Sequence, residues 1–241
     1  PVSGPSGGST TSGGVSSSTR KATVNALEKL YEAVAPSLGV QPNQLEAVDA
    51  RIQVKGDPSK AIPWKQACAK LGTTSIQEKG YNDQRHPEGL NSSGVGGVQM
   101  AEVTVDTETG IVRMKKFVAV QDVGLVLNPK LAESQMNGAV IMGICGALLE
   151  HRVMDQQTGR MLNADMEFYK LAGIGDVGEI VSVLDLRPET DKRGVVGIGE
   201  PCAVGVVAAI ANAVTNAIGV RVNGVPMTPN RVLAALEGRT A

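Results

Sequence analysis

The chain has 241 residues, 42% hydrophobic and 20% charged, with 23 Lys plus Arg against 24 Asp plus Glu and a formal net charge of -1. Such a chain is long enough for one large domain or two small ones with a true core. Its balanced charge, without a basic stripe interleaved with aromatics, argues against nucleic acid or an anionic membrane as partner. The longest apolar run, Ala203 to Ala211, is shorter than a bilayer span. With two Phe, three Tyr and one Trp, the core has to be built from Val, Ile, Leu, Ala and Met. The 29 glycines point to close backbone approach. Cys68, Cys145 and Cys202 are odd in number, far apart and without a CxxC pair. They read as small buried hydrophobes rather than as a disulfide, zinc or iron–sulfur framework. His86 and His151 have no supporting motif, so no side-chain metal site is expected in this chain.

In chain order, residues 1–18 are almost all Gly, Ser, Thr, Pro and Val. They read either as a flexible linker or as a loop that holds a phosphate or cofactor. Ser16 to Ser18 precede a helix predicted from Arg20 to about Ala35, whose start offers free backbone N–H groups and a positive dipole end. A GxxxxGK[ST] motif is missing, which counts against a P-loop nucleotide site. Leu45 to Val54 is predicted as one short strand and Gly56-Asp57-Pro58 as a turn. Pro63-Trp64 opens a short helix, Lys65 to Leu71, within a stretch Lys60 to Leu71 that reads as a surface helix packing through Trp64, Ala67 and Leu71, and residues 80–97 read as loop. Val98 to Val105 and Ile111 to Val120 alternate around Asp106-Thr107-Glu108-Thr109-Gly110, a strong hairpin signal.

Leu131 to Leu149 is predicted as a buried helix carrying Gly138, Gly143 and Gly146, where something approaches closely. Val153 to Leu162 forms a second hairpin turn, and Ile180 to Leu186 a strand. Ala203 to Ile218 is an apolar helix stopped by Gly219, and Thr228-Pro229 opens a last helix, Arg231 to Glu237. Strands and helices mix without regular βαβ alternation, so the fold class is α+β, with mixed sheets and packed helices. The whole chain reads as one domain with two subdomains, about 1–125 and 126–241.

Gly197-Ile198-Gly199-Glu200-Pro201 carries the most chemistry. It sets a carboxylate on a glycine-flanked turn before a long apolar helix. An apolar surround raises a carboxylate pKa and suits it to proton transfer near neutral pH. The plainer reading is a glutamate interacting with a helix dipole.

That turn, the run Ala208 to Val214, Gly219-Val220-Arg221 and Pro226 to Leu233 resemble the C-terminal end of the molybdopterin-binding large subunit of the xanthine dehydrogenase/aldehyde oxidoreductase family. Upstream motifs follow in the family's order: Gln121-Asp122-Val123-Gly124, Asn128-Pro129, Glu133-Ser134-Gln135, Gly138, Gly143-Ile144, Thr158-Gly159-Arg160, Asn163 and Tyr169-Lys170. Gly8-Ser9-Thr10-Thr11 through Ser18 resembles the family's cofactor loop. Two departures are Gln121, where His is common, and Cys202, where another small or apolar residue is usual.

The resemblance implies oxidative hydroxylation of an aldehyde or N-heterocycle, with water as the oxygen source and Glu200 as the general base. It implies that Gly13, Gly14, Val15, Ser16 and Ser17 hold the pterin and its phosphate, and that Gln135 contacts the dinucleotide extension. The implied cofactor is molybdenum–molybdopterin in its cytosine dinucleotide form. Iron–sulfur clusters and FAD would reside on partner domains or subunits, and the substrate is a small molecule. The family's molybdenum loops and iron–sulfur cysteines have no counterpart here, so the chain is expected to be a C-terminal portion or a split-gene subunit, inactive alone. The expected compartment is the cytoplasm, with the periplasm as the alternative. A non-catalytic scaffold or assembly domain of the same fold is the competing expectation.

Overall fold

The computed structural model describes residues 7–9, 11–81, 95–191 and 193–238. The loop predicted at residues 80–97 therefore falls largely outside the described residues, as do His86 and Thr10. By contacts the chain divides into two compact units, Pro1–Gly4 with Ser12–Arg85, and Pro5–Thr11 with His86–Ala241.

The first unit is built on helix α1, Thr11–Leu38. The helix begins nine residues before Arg20, where the sequence predicts its start, so the Gly/Ser stretch is helical and not a loop. Its hydroxyls turn inward to the helix: Ser16 Oγ donates to the Ser12 carbonyl at 2.5 Å, and Ser18 Oγ to the Gly14 carbonyl at 2.8 Å. Such back-bonds satisfy the hydroxyls without strengthening the helix, and each glycine in it costs about 1 kcal/mol relative to alanine, so propensity does not explain why this stretch is helical. Leu30, Val34 and Ala35 form the buried face.

They pack in one cluster with Leu45, Ile52, Val54 and Ala67. The single strand expected at Leu45–Val54 is two strands, β1 (Leu45–Val48) and β2 (Arg51–Val54), paired antiparallel. Asp49 and Ala50 make the turn, with φ of 46° and 58°. Two left-handed residues match the twist of a tight hairpin, but an alanine there gives no turn signal to read. Strand β3, Asp57–Pro63, completes the antiparallel sheet in the order β1-β2-β3 and occupies residues predicted as turn at 57–58 and as helix from Lys60. Helix α2 is shorter than predicted, Trp64–Ala69. Ala67 is fully buried there, whereas Trp64 is 42% exposed and does not anchor the helix.

The second unit holds the larger core. Strands β4 (Gly97–Val105) and β5 (Val112–Gln121) form the predicted hairpin, with a register shift at Glu102/Val103. Asp106 Oδ1 accepts the backbone N–H groups of Glu108 and Thr109, which holds its carboxyl below the ordinary value of 3.8. Because the folded pKa is depressed, the carboxylate stabilises the fold above the unfolded pKa, and that contribution is lost as pH falls through the folded value. A thermal melt series from pH 7 down to pH 2 is therefore expected to show Asp106→Ala less stable at neutral pH and converging on the parent in acid.

Helix α3, Pro129–Ile144, is capped by Asn128, whose side chain accepts the Leu131 N–H. It continues into a π-helical turn, Cys145–Leu149. The widened turn leaves the Ala147 carbonyl to accept the Met227 N–H at 2.7 Å. The turn predicted at residues 153–162 is closed by the Met154–Met161 bridge. Strand β6, Glu179–Leu184, joins β5 in parallel, giving the order β4-β5-β6. Helices α4 (Pro188–Asp191), α5 (Val206–Ile218) and α6 (Pro229–Leu236) follow. A division near residue 125 would pass between β5 and α3, whose Phe117, Ala119, Met136 and Val140 belong to one buried cluster.

The segment Pro201–Ile218 is 18 residues long with a mean hydropathy of 1.6, enough by length and composition to cross a membrane and longer than the apolar run read from the sequence. Within it Cys202, Val206, Ile210 and Val214 are fully buried in the cluster with Phe117 and Val140. These four residues recur every fourth position and 22% of the segment is buried, the pattern of a helix packed by one apolar stripe. Cys145 and Cys202 are buried free thiols and Cys68 is half-buried and free, the small-hydrophobe role their spacing suggests.

Candidate active site

The turn bearing Glu200 is assembled from four separate stretches of the second unit. Glu200 precedes a 3-10 turn, Pro201–Ala203, and its carbonyl accepts the Ala203 N–H at 2.9 Å. Its own N–H is held by Ser9 Oγ at 3.0 Å. The spacing of Gly197 and Gly199 follows from that contact. A Cβ on Gly197 would lie 1.9 Å from the Ser9 carbonyl oxygen, and one on Gly199 would lie 3.0 Å from Ser9 Oγ. The glycines thus admit another stretch of backbone against the turn.

Helix α3 contributes Gln135, whose Nε2 donates to the Gly199 carbonyl at 3.4 Å. Strand β4 contributes Gln99, whose Nε2 donates to the Cys202 carbonyl at 2.5 Å. Burial raises the Cys202 thiol pKa, so the thiol stays neutral beneath the turn.

The stretch leading into the turn is fixed to the end of β5. Arg193 Nη1 donates to Asp122 Oδ2 in an ion pair that is largely buried on both sides. The Leu125 N–H bonds the Gly194 carbonyl at 2.8 Å, and the Val196 N–H the Val123 carbonyl at 3.2 Å. Gln121, 3% exposed, donates from Nε2 to the Gly96 carbonyl at 2.9 Å. The Gln121-Asp122-Val123-Gly124 motif is therefore the backing of the Glu200 turn.

Of the residues expected at the site, Glu200 and Gln135 are brought to the same turn. Gly13, Gly14, Val15, Ser16 and Ser17 lie in the first turns of α1, in the first unit. Ser16 and Ser17 are inside the helix, so they cannot present free backbone N–H groups as a loop would. Gly13 and Gly14 lie in its first turn. Glu200 is exposed, so the apolar surround expected for it is not supplied by the described residues of this chain. Ser9 and Asp122 stand in the sequence only as members of motifs, with no role of their own, and Gln99 and Arg193 were not singled out. Gln99 is 103 positions from its partner, and no local pattern marks such a contact.

The second unit presents a carboxylate on a Gly-x-Gly turn, and the first presents a glycine-bearing helix start. The family description "Molybdopterin cofactor-binding domain" matches residues 1–178, and the chain belongs to that family. It is 34% identical over 213 residues to the aldehyde oxidoreductase molybdenum-binding subunit PaoC of Escherichia coli K12, covering 88% of this chain and 28% of that protein. It is 26% identical to the 6-hydroxypseudooxynicotine dehydrogenase complex subunit gamma of Paenarthrobacter nicotinovorans, covering 91% of this chain and 28% of that one. Among solved structures, the Cu,Mo-CO dehydrogenase shares its fold with a TM-score of 0.81 at 23% identity, covering 99% of this chain and 31% of that one. The chain thus spans about a third or less of the proteins it matches.

Among the described residues, no three His, Cys, Asp or Glu side chains converge as metal ligands. A metal carried on its own organic ligand needs backbone donors and small side chains instead. The start of α1 has that character: its first turn holds no acidic residue, and a Cβ on Gly14 would meet nothing within 4 Å. These residues fit an anionic pterin cofactor.

Proposed function

We propose that the chain is the C-terminal part of a molybdenum hydroxylase catalytic subunit that hydroxylates an aldehyde or N-heterocycle with oxygen from water. Glu200 is its general base. The observation that carries the reading is the Glu200 turn: a carboxylate whose backbone is held by Ser9 and whose neighbouring Gly199 carbonyl is held by Gln135. In this reading Glu200 takes a proton from the oxygen that is added to the substrate carbon, as general-base catalysis requires. The molybdenum–molybdopterin cofactor, in its cytosine dinucleotide form, would supply the two-electron redox chemistry when bound, with iron–sulfur clusters and FAD on partner domains or subunits as the onward acceptors. Gly13 and Gly14 hold the cofactor's phosphate through backbone N–H groups, Val15, Ser16 and Ser17 line its approach, and Gln135 contacts the dinucleotide. The remainder of the subunit covers Glu200 and excludes water from it. The three free cysteines suit a cytoplasmic setting.

Metal analysis of the complete subunit with its partners tests the reading. It predicts molybdenum near one equivalent, whereas none under any condition would leave the scaffold alternative. Gly14→Asp adds a negative charge at a helix start that has none, and is expected to lower molybdopterin content several-fold at unchanged folding. Content equal to the parent would remove α1 from the cofactor site.

A further inference from the structure

We propose that Gln99 is a positioning residue for Glu200, acting through the backbone of the 3-10 turn Pro201–Ala203. The inference rests on the catalytic reading of Glu200. Gln99 lies on β4 opposite Ala119, on an edge strand of the sheet β4-β5-β6. Its Nε2 donates to the Cys202 carbonyl, two residues beyond Glu200. Its Oε1 is buried and has no hydrogen-bond partner among the described residues.

Leaving a buried amide oxygen unpaired is unfavourable, so the side chain is retained against a cost. The compensation visible here is the bond on its other end, which ties the turn to the sheet. Gly205 makes room for it, since a Cβ there would lie 2.6 Å from Gln99 Oε1. The geometry is specific on both sides: one amide fills the space between β4 and the start of α5, and it reaches a carbonyl in the turn that follows the carboxylate.

The contact differs from the other two on this turn. Ser9 and Gln135 hold Glu200 and Gly199 from the N-terminal side. Gln99 holds the C-terminal side with a hydrogen bond, where Cys202 and Ala203 otherwise contribute apolar packing to the core cluster. Glu200 begins that 3-10 turn, so motion of the turn moves the carboxylate directly. Displacement of a catalytic group by about 1 Å costs on the order of a hundredfold in rate.

The test uses the complete molybdenum subunit with its partner subunits. Gln99→Met keeps length and removes the donor. It is expected to lower kcat about tenfold to a hundredfold with KM within about twofold and molybdenum content unchanged. Amide hydrogen exchange in the peptide spanning residues 197–205 is expected to accelerate in the same variant. Gln99→Glu supplies a second reading. A protonated carboxyl can donate to the Cys202 carbonyl and an ionised one cannot, so its kcat relative to the parent is expected to rise as pH falls.

Parent-like kcat in Gln99→Met, or a rise in KM at constant kcat, overturns the proposal. Loss of solubility or molybdenum in both variants assigns Gln99 to folding alone and also overturns it. Glu200→Gln run alongside separates the two claims. If Glu200→Gln is fully active, the catalytic reading itself fails. If it is inactive while Gln99→Met is parent-like, only the positioning role fails.

Discussion

In the complete enzyme, Glu200→Gln is expected to lower kcat by about 10²- to 10⁴-fold while molybdenum content and KM stay near parental values. The substitution keeps the shape and removes the basic oxygen. The backbone contacts that shape the turn, from Ser9, Gln135 and Gln99, all engage main-chain atoms, so they survive a change of side chain at 200. A loss of turnover therefore reports on the carboxylate and not on the turn. Steady-state kinetics normalised to molybdenum checks this. Turnover within about twofold of the parent would end the assignment of Glu200 as base.

The second large effect concerns stability. Gly143→Ala is expected to destabilise the protein by about 3 kcal/mol, at the upper end of overpacking costs. A Cβ on Gly143 would lie 2.3 Å from both Cβ and Cγ1 of Val206, where α3 meets the first residue of α5. Trimming Val206 to Ala leaves its Cβ in the way, so only Val206→Gly relieves the clash. The double variant Gly143→Ala with Val206→Gly is expected to recover part of the loss, less about 1 kcal/mol for the new helical glycine. Gly138 on the same helix gives the contrast, because a Cβ there meets nothing within 4 Å. Gly138→Ala is expected to stabilise by up to about 1 kcal/mol. Chemical denaturation of the three variants checks the set, and equal effects at 138 and 143 would contradict the packing account.

The second unit was largely legible because its signals are local. The β4–β5 hairpin follows from alternation around a turn ending in Gly110, and α5 from an apolar run stopped by Gly219, which sits at a φ of 76°. The first unit was less so. The start of α1 is poor in helix formers, and its serine hydroxyls bond back to the helix carbonyls, so nothing in its local propensity announces a helix. Strand β3 contains a lysine, a serine and two prolines, and its pairing with β2 is what makes it a strand. The hairpin turn at Asp49-Ala50 carries no glycine to announce it.

The site divides in the same way. Glu200 is visible in the sequence as a motif, and so is the family to which it points. The Gly-x-Gly spacing suggested a special backbone, but the reason for it, contact with Ser9, spans 191 positions. The buried Asp122–Arg193 pair spans 71. Contacts of that separation are set by the fold and leave no periodic trace.

The central claim is that Glu200 moves the proton in the step that oxidises the substrate. Single-turnover reduction of the molybdenum-loaded enzyme by an aldehyde, without electron acceptor, measures that step apart from electron transfer to partner subunits. The account predicts a rate constant for Glu200→Gln lower than the parent by at least about a hundredfold at equal molybdenum content. A single-turnover rate equal to the parent's would contradict it.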